Sequence, residues 1–114
     1  MKITKKIIKA RGIKLFIKQG NKEVSRVFLY IMKNDLYKES FGLMEDVFVD
    51  KKLRGQGIGT ILVKKIIAEA KKNKCYKLIA TSRHKRPRVH AFYEKLGFKN
   101  HGLEFRVDLP PHLK

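Results

Sequence analysis

Two apolar segments near the start of the chain follow the period of a β-strand. Positions 13, 15 and 17 are apolar, with lysines at 14 and 18, and residues 24–32 are rich in valine, isoleucine and aromatic side chains. Gly20 and Asn21 lie between the two segments, and such pairs are common where a strand reverses direction. The pattern therefore predicts a β-hairpin.

The middle of the chain changes from a strand pattern to a helix pattern. Residues 43–49 are apolar enough for a strand covered on both faces, although Glu45 and Asp46 interrupt them. From Ile58 to about Asn73, apolar residues recur at steps of three and four, and most lysines lie off that stripe. This spacing predicts an amphipathic helix.

The last third of the chain repeats the alternation of strand and helix. Residues 77–81 predict a short buried strand, and Pro87 and Gly97 are suited to begin and end a second helix. Residues 103–109 alternate apolar and charged side chains, which predicts a final strand. The order β-β-β-α-β-α-β is that of a mixed α/β (α+β) fold, and we expect residues 1–114 to form a single domain.

Composition excludes several classes of protein. With 43% apolar residues among 114, the chain can bury a core, so it is not a disordered segment. The longest apolar run, residues 27–32, is far shorter than the ~20 residues of a membrane span. The N-terminus lacks the apolar stretch of a secretory signal, so we expect a cytoplasmic protein without membrane contact. Cys75 is the sole cysteine, and we expect it to be a packing residue.

The charge is large and uneven. The formal net charge is +18, which favours a polyanion or an anionic cofactor as a ligand. Glu45, Asp46 and Asp50 form an acidic island in residues 41–50, which contain no Lys or Arg. The most basic part of the chain, residues 51–90, follows directly, and so abrupt a change of sign indicates a functional region.

A glycine-rich turn joins the acidic strand to the basic helix. Its residues are Arg54, Gly55, Gln56, Gly57, Ile58, Gly59 and Thr60. Backbone N–H groups at a helix start have no partner within the helix, and glycine allows an anion close to them, so this segment predicts a phosphate cradle. The alternative is an ordinary flexible turn. The spacing fits neither the dinucleotide fingerprint G-x-G-x-x-G nor a Walker loop.

The turn and a second segment together resemble a known family. Val49 followed by Arg54-x-x-Gly57-x-Gly59 resembles the acetyl-CoA-binding motif of the GNAT superfamily of N-acetyltransferases. Residues 89–98, which end in the pattern F-Y-x-x-x-G-F, resemble the other signature of that family. The resemblance covers about residues 43–109, and the two signatures occur in the expected order.

The resemblance implies a cofactor site made largely of backbone. It implies a mixed, mostly antiparallel sheet that splays open between the strand ending at Val49 and the strand around residues 78–81, with acetyl-CoA in the gap. The pyrophosphate would lie on the turn, and the backbone of the strand end would pair with the pantetheine arm. The implied cofactor residues are Val47, Phe48, Val49, Arg54, Gly55, Gln56, Gly57, Ile58, Gly59 and Thr60.

Two side chains are candidates for the proton transfers of acetyl transfer to an amine. Glu45 is a candidate base, since it lies in the strand whose backbone would polarise the thioester, and strand alternation turns it to the side opposite Asp46. The alternative is that both acids form ion pairs with surrounding lysines. The family pattern makes Tyr93 the acid that protonates the leaving thiolate, and the alternative is that Tyr93 packs with Phe92 and Phe98 as core.

The sequence departs from the family pattern at two places. Arg86 stands where many members have an asparagine that contacts the cofactor; it would hold a phosphate or belong to a solvated basic loop. His84 and His90 lack the company of a zinc site, so no metal is implied. Family members usually have a longer part before the hairpin, so we expect the acceptor wall to be largely missing here and the site to be open or to be closed by a second subunit in a homodimer.

These observations favour an acetyl-CoA-dependent N-acetyltransferase that acts on a primary amine of a protein, a peptide or a small molecule. The rival is a basic nucleic-acid-binding module, which the net charge suits, although the aromatic residues follow core spacing instead of forming an exposed stacking row. A CoA-binding fold that has lost catalysis is a further alternative.

Overall fold

The computed structural model of the chain describes residues 1–82 and 87–110. It contains one four-stranded sheet, one short 3₁₀ turn and two α-helices. In chain order the elements are β1 (Arg11–Gln19), β2 (Lys22–Met32), β3 (Phe41–Val49), the 3₁₀ turn (Lys51–Leu53), α1 (Ile58–Lys72), β4 (Leu78–Ala80) and α2 (Pro87–Lys95). The predicted mixed α/β class is confirmed.

The chain forms two compact units. Met1–Ala80 contains the whole sheet and α1, and Thr81–Lys114 contains α2 and the segment after it. Within the described ranges, no helix is long and apolar enough to cross a membrane.

The predicted hairpin is present. β1 and β2 pair in antiparallel register from Arg11 opposite Ile31 to Gln19 opposite Lys22. Gly20 takes a φ of 63° in the connection, a left-handed conformation that glycine adopts without steric cost.

The core of the N-terminal unit lies between β2 and α1. Val27 and Leu29 of β2 and Val63 and Ile66 of α1 have no exposed surface. Alternation along β2 and steps of three and four along α1 bring these apolar side chains to facing surfaces. Burying each such side chain contributes about 1.5–3 kcal/mol relative to leaving it exposed, so this layer holds α1 on the sheet.

β3 lies between an antiparallel and a parallel neighbour. It pairs with β2 along its length and with β4 only from Gly42 opposite Leu78 to Met44 opposite Ala80. Residues 45–49 of β3 therefore extend beyond the last pair with β4. The expected mixed, mostly antiparallel sheet is confirmed, and its β3–β4 pairing ends halfway along β3.

The predicted final strand is wrong. Residues 98–109 contain no strand, and Leu103 and Phe105 are 67% and 89% exposed. Alternation predicts which side chains would share one face of a strand, but a strand also needs a neighbouring backbone to pair with. Within the described residues this segment has no such neighbour.

Candidate functional site

The end of β3 leads through a tight turn into the start of α1. Gly55 and Gly57 have φ values of 83° and 78°, and Gly57 is the N-cap of the helix. A Cβ added at either glycine would meet no atom within 4 Å. The two glycines are therefore required by the backbone conformation, and the space next to them is open.

Backbone N–H groups accumulate at this turn. The first helical hydrogen bond runs from the Ile61 N–H to the Gly57 carbonyl at 3.0 Å, and Gly57 provides no side-chain cap. From residue 55 to residue 60, no backbone N–H donates a hydrogen bond to another described residue. Free N–H groups and the positive end of the helix dipole favour an anion here. This geometry suits an anion, and the phosphate cradle stays a prediction.

Side chains directly before the glycines hold the start of the turn in place. Asp50 accepts a hydrogen bond from the Lys52 N–H at 3.0 Å and forms an ion pair with Lys22 at 3.1 Å. The Lys52 N–H and then the Lys22 ammonium lower the pKa of Asp50. Arg54 donates from Nε to the Val49 carbonyl at 3.1 Å, so part of its guanidinium ties the turn to the strand end.

β3 contains a β-bulge directly before the turn. Phe28 of β2 lies opposite Glu45, but Arg26, two residues earlier, lies opposite Phe48, so β3 has one extra residue. Asp46 has a φ of 54°, in the left-handed region that aspartate tolerates better than most residues. The bulge thus separates the regular part of β3 from the residues that lead to the turn.

The bulge overturns one expectation about the two acids. Directly opposed residues of an antiparallel pair share a face, so Glu45 lies on the same face as Phe28. Asp46 reaches that face too, because its carboxylate accepts a 2.8 Å hydrogen bond from Arg26 Nε. The prediction that the two side chains point to opposite sides is wrong, since the extra residue breaks the alternation.

The two acids nevertheless differ in their partners. Asp46 forms an ion pair with Arg26, whereas Glu45 is exposed and forms no ion pair with any described residue. Of the two acids, only Glu45 therefore has a carboxylate without an ion-pair partner among the described residues. The alternative that both acids serve as ion-pair partners fits Asp46 only.

Arg26 is a residue of this region that the sequence pattern did not reveal. Its Nη1 donates to Glu23 at 3.3 Å, and its guanidinium lies over the Phe48 ring at 4.6 Å. Glu23 also pairs with Lys14, and these cations lower the pKa of Glu23, with Lys14 the larger cause. Arg26 could be found only from the pairing register of β2 and β3, because that register places its guanidinium beside Asp46.

The second family signature lies in the C-terminal unit. Tyr93 is part of α2, and its ring lies 5.7 Å from that of Phe92 and 5.4 Å from that of Phe98, centroid to centroid. The Phe98 N–H donates to the Tyr93 carbonyl at 3.0 Å, and Gly97 ends the helix with a φ of 99°. The predicted helix and its glycine stop are confirmed.

The structure brings together the cofactor residues that were predicted in the N-terminal unit. Val47, Phe48 and Val49 are half-buried at the end of β3, and the turn follows within a few residues. Arg54 and Gln56 are exposed, and Ile58, Gly59 and Thr60 form the first turn of α1. Arg86 lies outside the described residues. The described part of the chain contains no cluster of three or more His, Cys, Asp or Glu that could hold a metal ion.

Comparison with a family model gives one match. The model of the acetyltransferase (GNAT) family matches residues 7–98, which is more than half of the chain.

Curated proteins with similar sequences carry a common description. A glucosamine 6-phosphate N-acetyltransferase of Trypanosoma brucei brucei is 41% identical over 68 residues, which are 60% of this chain and 44% of that protein. A glucosamine 6-phosphate N-acetyltransferase of Candida albicans is 38% identical over 63 residues, which are 55% of this chain and 40% of that protein. The chain thus spans less than half of the length of these relatives.

Solved structures agree with the sequence comparison. An acetyltransferase of Trypanosoma brucei superposes with a TM-score of 0.77 and 31% identity, covering 86% of this chain and 69% of that one. The glucosamine-6-phosphate N-acetyltransferase of Arabidopsis thaliana superposes with a TM-score of 0.75 and 26% identity, covering 85% of this chain and 66% of that one.

Proposed function

The chain belongs to the acetyltransferase (GNAT) family, and from this we propose that it transfers an acetyl group from acetyl-CoA to a primary amine by direct attack on the thioester. The proposal rests on two features that lie close together in the chain, a strand end and a turn. β3 ends in residues without a β4 partner, and the chain then passes through the 3₁₀ turn into an open turn of free N–H groups.

The residues of this region suit the chemical groups of acetyl-CoA. The turn from Gly55 to Thr60 offers N–H donors and open space to a pyrophosphate, with Lys51 and Lys52 exposed just before it. On the side of β3 that faces away from β2, residues 45–49 have no β4 partner. Their backbone groups there can pair with the extended amide chain of the pantetheine arm. When bound, acetyl-CoA supplies an acetyl group activated as a thioester.

The acceptor amine must lose a proton before it can attack. An alkylamine of pKa about 10.4 is neutral about once in a thousand molecules at pH 7.4, a handicap of about 4 kcal/mol. We assign the removal of this proton to Glu45. Its exposure, its position on the strand beside the proposed cofactor edge and its lack of a cationic partner among the described residues support the assignment.

The departing thiolate must gain a proton, and we assign this step to Tyr93. The assignment is supported by the family signature around residues 89–98, in which the tyrosine stands in α2. A phenol of pKa about 10 gives its proton to a thiolate of pKa about 8.5 only with help from its surroundings, so the contribution should be moderate.

We propose an amino-sugar phosphate as the first acceptor to be tested. The named relatives act, by their descriptions, on glucosamine 6-phosphate, and they are 41% and 38% identical to this chain over the matched segments. A net charge of +18 would also favour an acceptor that carries a phosphate over polyamines, which are cationic.

Calorimetric titration with CoA tests the cofactor site, and a thiol-release assay then tests the acceptor. We expect CoA to bind and to raise the melting temperature, because a ligand of the folded state stabilises it. The acceptor panel should contain glucosamine 6-phosphate, glucosamine, a polyamine, an amino acid, a peptide α-amine and a lysine peptide. Salt-sensitive binding to nucleic acid without any response to CoA would instead support the basic binding module.

A further inference from the structure

One side chain spans the β-bulge that precedes the glycine turn. Arg26 of β2 contacts Asp46 inside the bulge through Nε at 2.8 Å and covers the ring of Phe48 beyond it at 4.6 Å. Glu23 holds the guanidinium from another direction, with Nη1 to Oε2 at 3.3 Å. The guanidinium is therefore fixed at three points, of which Asp46 lies within the bulge and Phe48 directly after it.

A competing arrangement of β3 explains why such a contact matters. If the bulge were lost, the register of Phe28 opposite Glu45 would continue regularly and would place Val47 opposite Arg26. A shift by one residue turns every following side chain to the other face of the sheet. It would also displace the backbone groups of residues 47–49 by one position relative to the glycine turn.

The bulged arrangement has a conformational cost that a contact must offset. Asp46 has a φ of 54°, which an L-residue adopts at a steric cost. The contact with the Phe48 ring requires the bulged register, because only there does Phe48 lie opposite Arg26. The contact with Asp46 requires it too, because the regular register would place Asp46 opposite Val27, on the other face from Arg26. Both contacts therefore favour the bulge over the regular strand.

We propose that Arg26 is a positioning residue of the acetyltransferase site, which fixes the bulge in β3 and thereby the backbone groups that meet the cofactor. The same contact engages Asp46 and leaves Glu45 as the carboxylate available to the acceptor amine. This inference rests on the proposed function, because it assigns the bulge a role in binding CoA.

The proposal predicts that replacing Arg26 lowers the affinity for CoA but hardly changes the stability of the fold. The side chains of Arg26 and Asp46 are 31% and 51% exposed, and such ion pairs contribute little to global stability. Replacing Arg26 should therefore change the melting temperature little. It should weaken the binding of CoA, because the bound register would then be only one of two populated registers.

The central experiment compares Arg26→Met with Lys14→Met by calorimetric titration with CoA. Lys14 lies on the same sheet face, pairs with Glu23 and lies near aromatic rings, but it does not contact the bulge. We expect Arg26→Met to raise the Kd for CoA about tenfold, and Lys14→Met to change it less than about twofold. The KM for acetyl-CoA should rise with the Kd in Arg26→Met.

A double-mutant cycle tests whether Arg26 acts through the bulge. Glycine adopts positive φ without the steric cost, so Asp46→Gly should hold the bulge with less need for Arg26. In the Asp46→Gly background we expect Arg26→Met to change the Kd for CoA by less than about threefold. If Arg26→Met does not fold, Arg26→Lys replaces it, with a smaller expected loss because lysine keeps the charge but lacks the planar fork.

The outcomes separate this inference from the proposed function. If the wild-type chain does not bind CoA, both are overturned. If the wild-type chain binds CoA and Arg26→Met binds it equally well, the inference alone is overturned. An equal loss of affinity for Arg26→Met in both backgrounds would also overturn it, because Arg26 would then act independently of Asp46.

Discussion

The two compact units of the chain differ in what determines their shape. In Met1–Ala80, apolar side chains of β2, β3 and α1 are buried, and the sheet fixes their register. In the described part of Thr81–Lys114, no side chain is fully buried, and α2 contacts the segment after it through the rings of Tyr93 and Phe98. The first unit contains fully buried apolar side chains, whereas the ring contacts described in the second unit join residues close in sequence.

Because of this difference, the proposed roles in the two units are tested by different measurements. The cofactor cradle consists of backbone that a packed core positions, so mutations there should change both stability and affinity. Tyr93 belongs to the other unit, so its replacement should change turnover without a loss of the core. Five experiments test this contrast, in order of decreasing expected effect.

Ile66→Ala should give the largest change. Ile66 is fully buried between α1 and the sheet, and shortening such a side chain usually costs about 2–5 kcal/mol. The matched change in the other unit is Phe105→Ala, at a residue that is 89% exposed, and it should change the free energy of unfolding by less than about 0.5 kcal/mol. Urea titration measures both, and equal losses would contradict the contrast between the units.

Glu45→Gln should lower turnover about a hundredfold, because general base catalysis typically contributes that much or more. It should also flatten the pH dependence of the rate. The control is Asp46→Asn, which weakens the contact with Arg26 and should therefore raise the KM for acetyl-CoA, but should keep the pH dependence of the rate. An unaltered pH–rate profile in Glu45→Gln would remove Glu45 from the mechanism.

Gly57→Ala should weaken CoA binding about twentyfold, since a Cβ would enter the open space and strain a backbone with a φ of 78°. Gly20→Ala introduces the same kind of strain at a φ of 63° in the hairpin, also without a clash. Both variants should lose similar stability. Only Gly57→Ala should lose affinity in calorimetry, and a comparable loss in Gly20→Ala would show a general effect of strain.

Tyr93→Phe should lower kcat about tenfold and leave the Kd for CoA unchanged, because only the phenolic proton is removed. The ring contacts with Phe92 and Phe98 are kept in this variant. Steady-state kinetics and calorimetry together measure the two quantities. Full turnover in Tyr93→Phe would show that the tyrosine serves packing only.

Asp50→Asn should have the smallest effect, and it should depend on pH. The pKa of Asp50 is lowered in the folded chain, so its carboxylate stabilises the fold above the ordinary pKa of about 3.9. This contribution is lost as the pH falls through the lowered pKa. The melting temperatures of wild type and Asp50→Asn should therefore differ at pH 7 and converge in strong acid. If the two melting temperatures differed by the same amount at every pH, the effect would come from the shape of the side chain and not from its charge.

Much of the fold follows from local patterns in the sequence. The hairpin and α1 are predicted from the period of their apolar residues, β3 and β4 from short apolar segments, and α2 from the proline and glycine at its ends. The glycine turn could also be placed, since its position between a strand and a helix is a local property. The turn would bind a phosphate through its backbone N–H groups, so this role can be predicted without knowing which side chains lie near it in space.

The errors concern properties that depend on pairing. The alternation of residues 103–109 is real, but whether they form a strand depends on a neighbouring backbone. The bulge at Asp46 adds one residue to β3 relative to β2, and no local signal distinguishes it from regular alternation. The position of Glu45 relative to Asp46 and the role of Arg26 therefore required the register.

α1 begins at a glycine that offers no side-chain oxygen to the first turn. In most helices a serine, threonine or aspartate at this place completes the end of the helix. Here a bound phosphate would take the place of that missing residue. The first turn of α1 would then be finished by the ligand, so hydrogen exchange of its amides should slow with increasing ligand concentration.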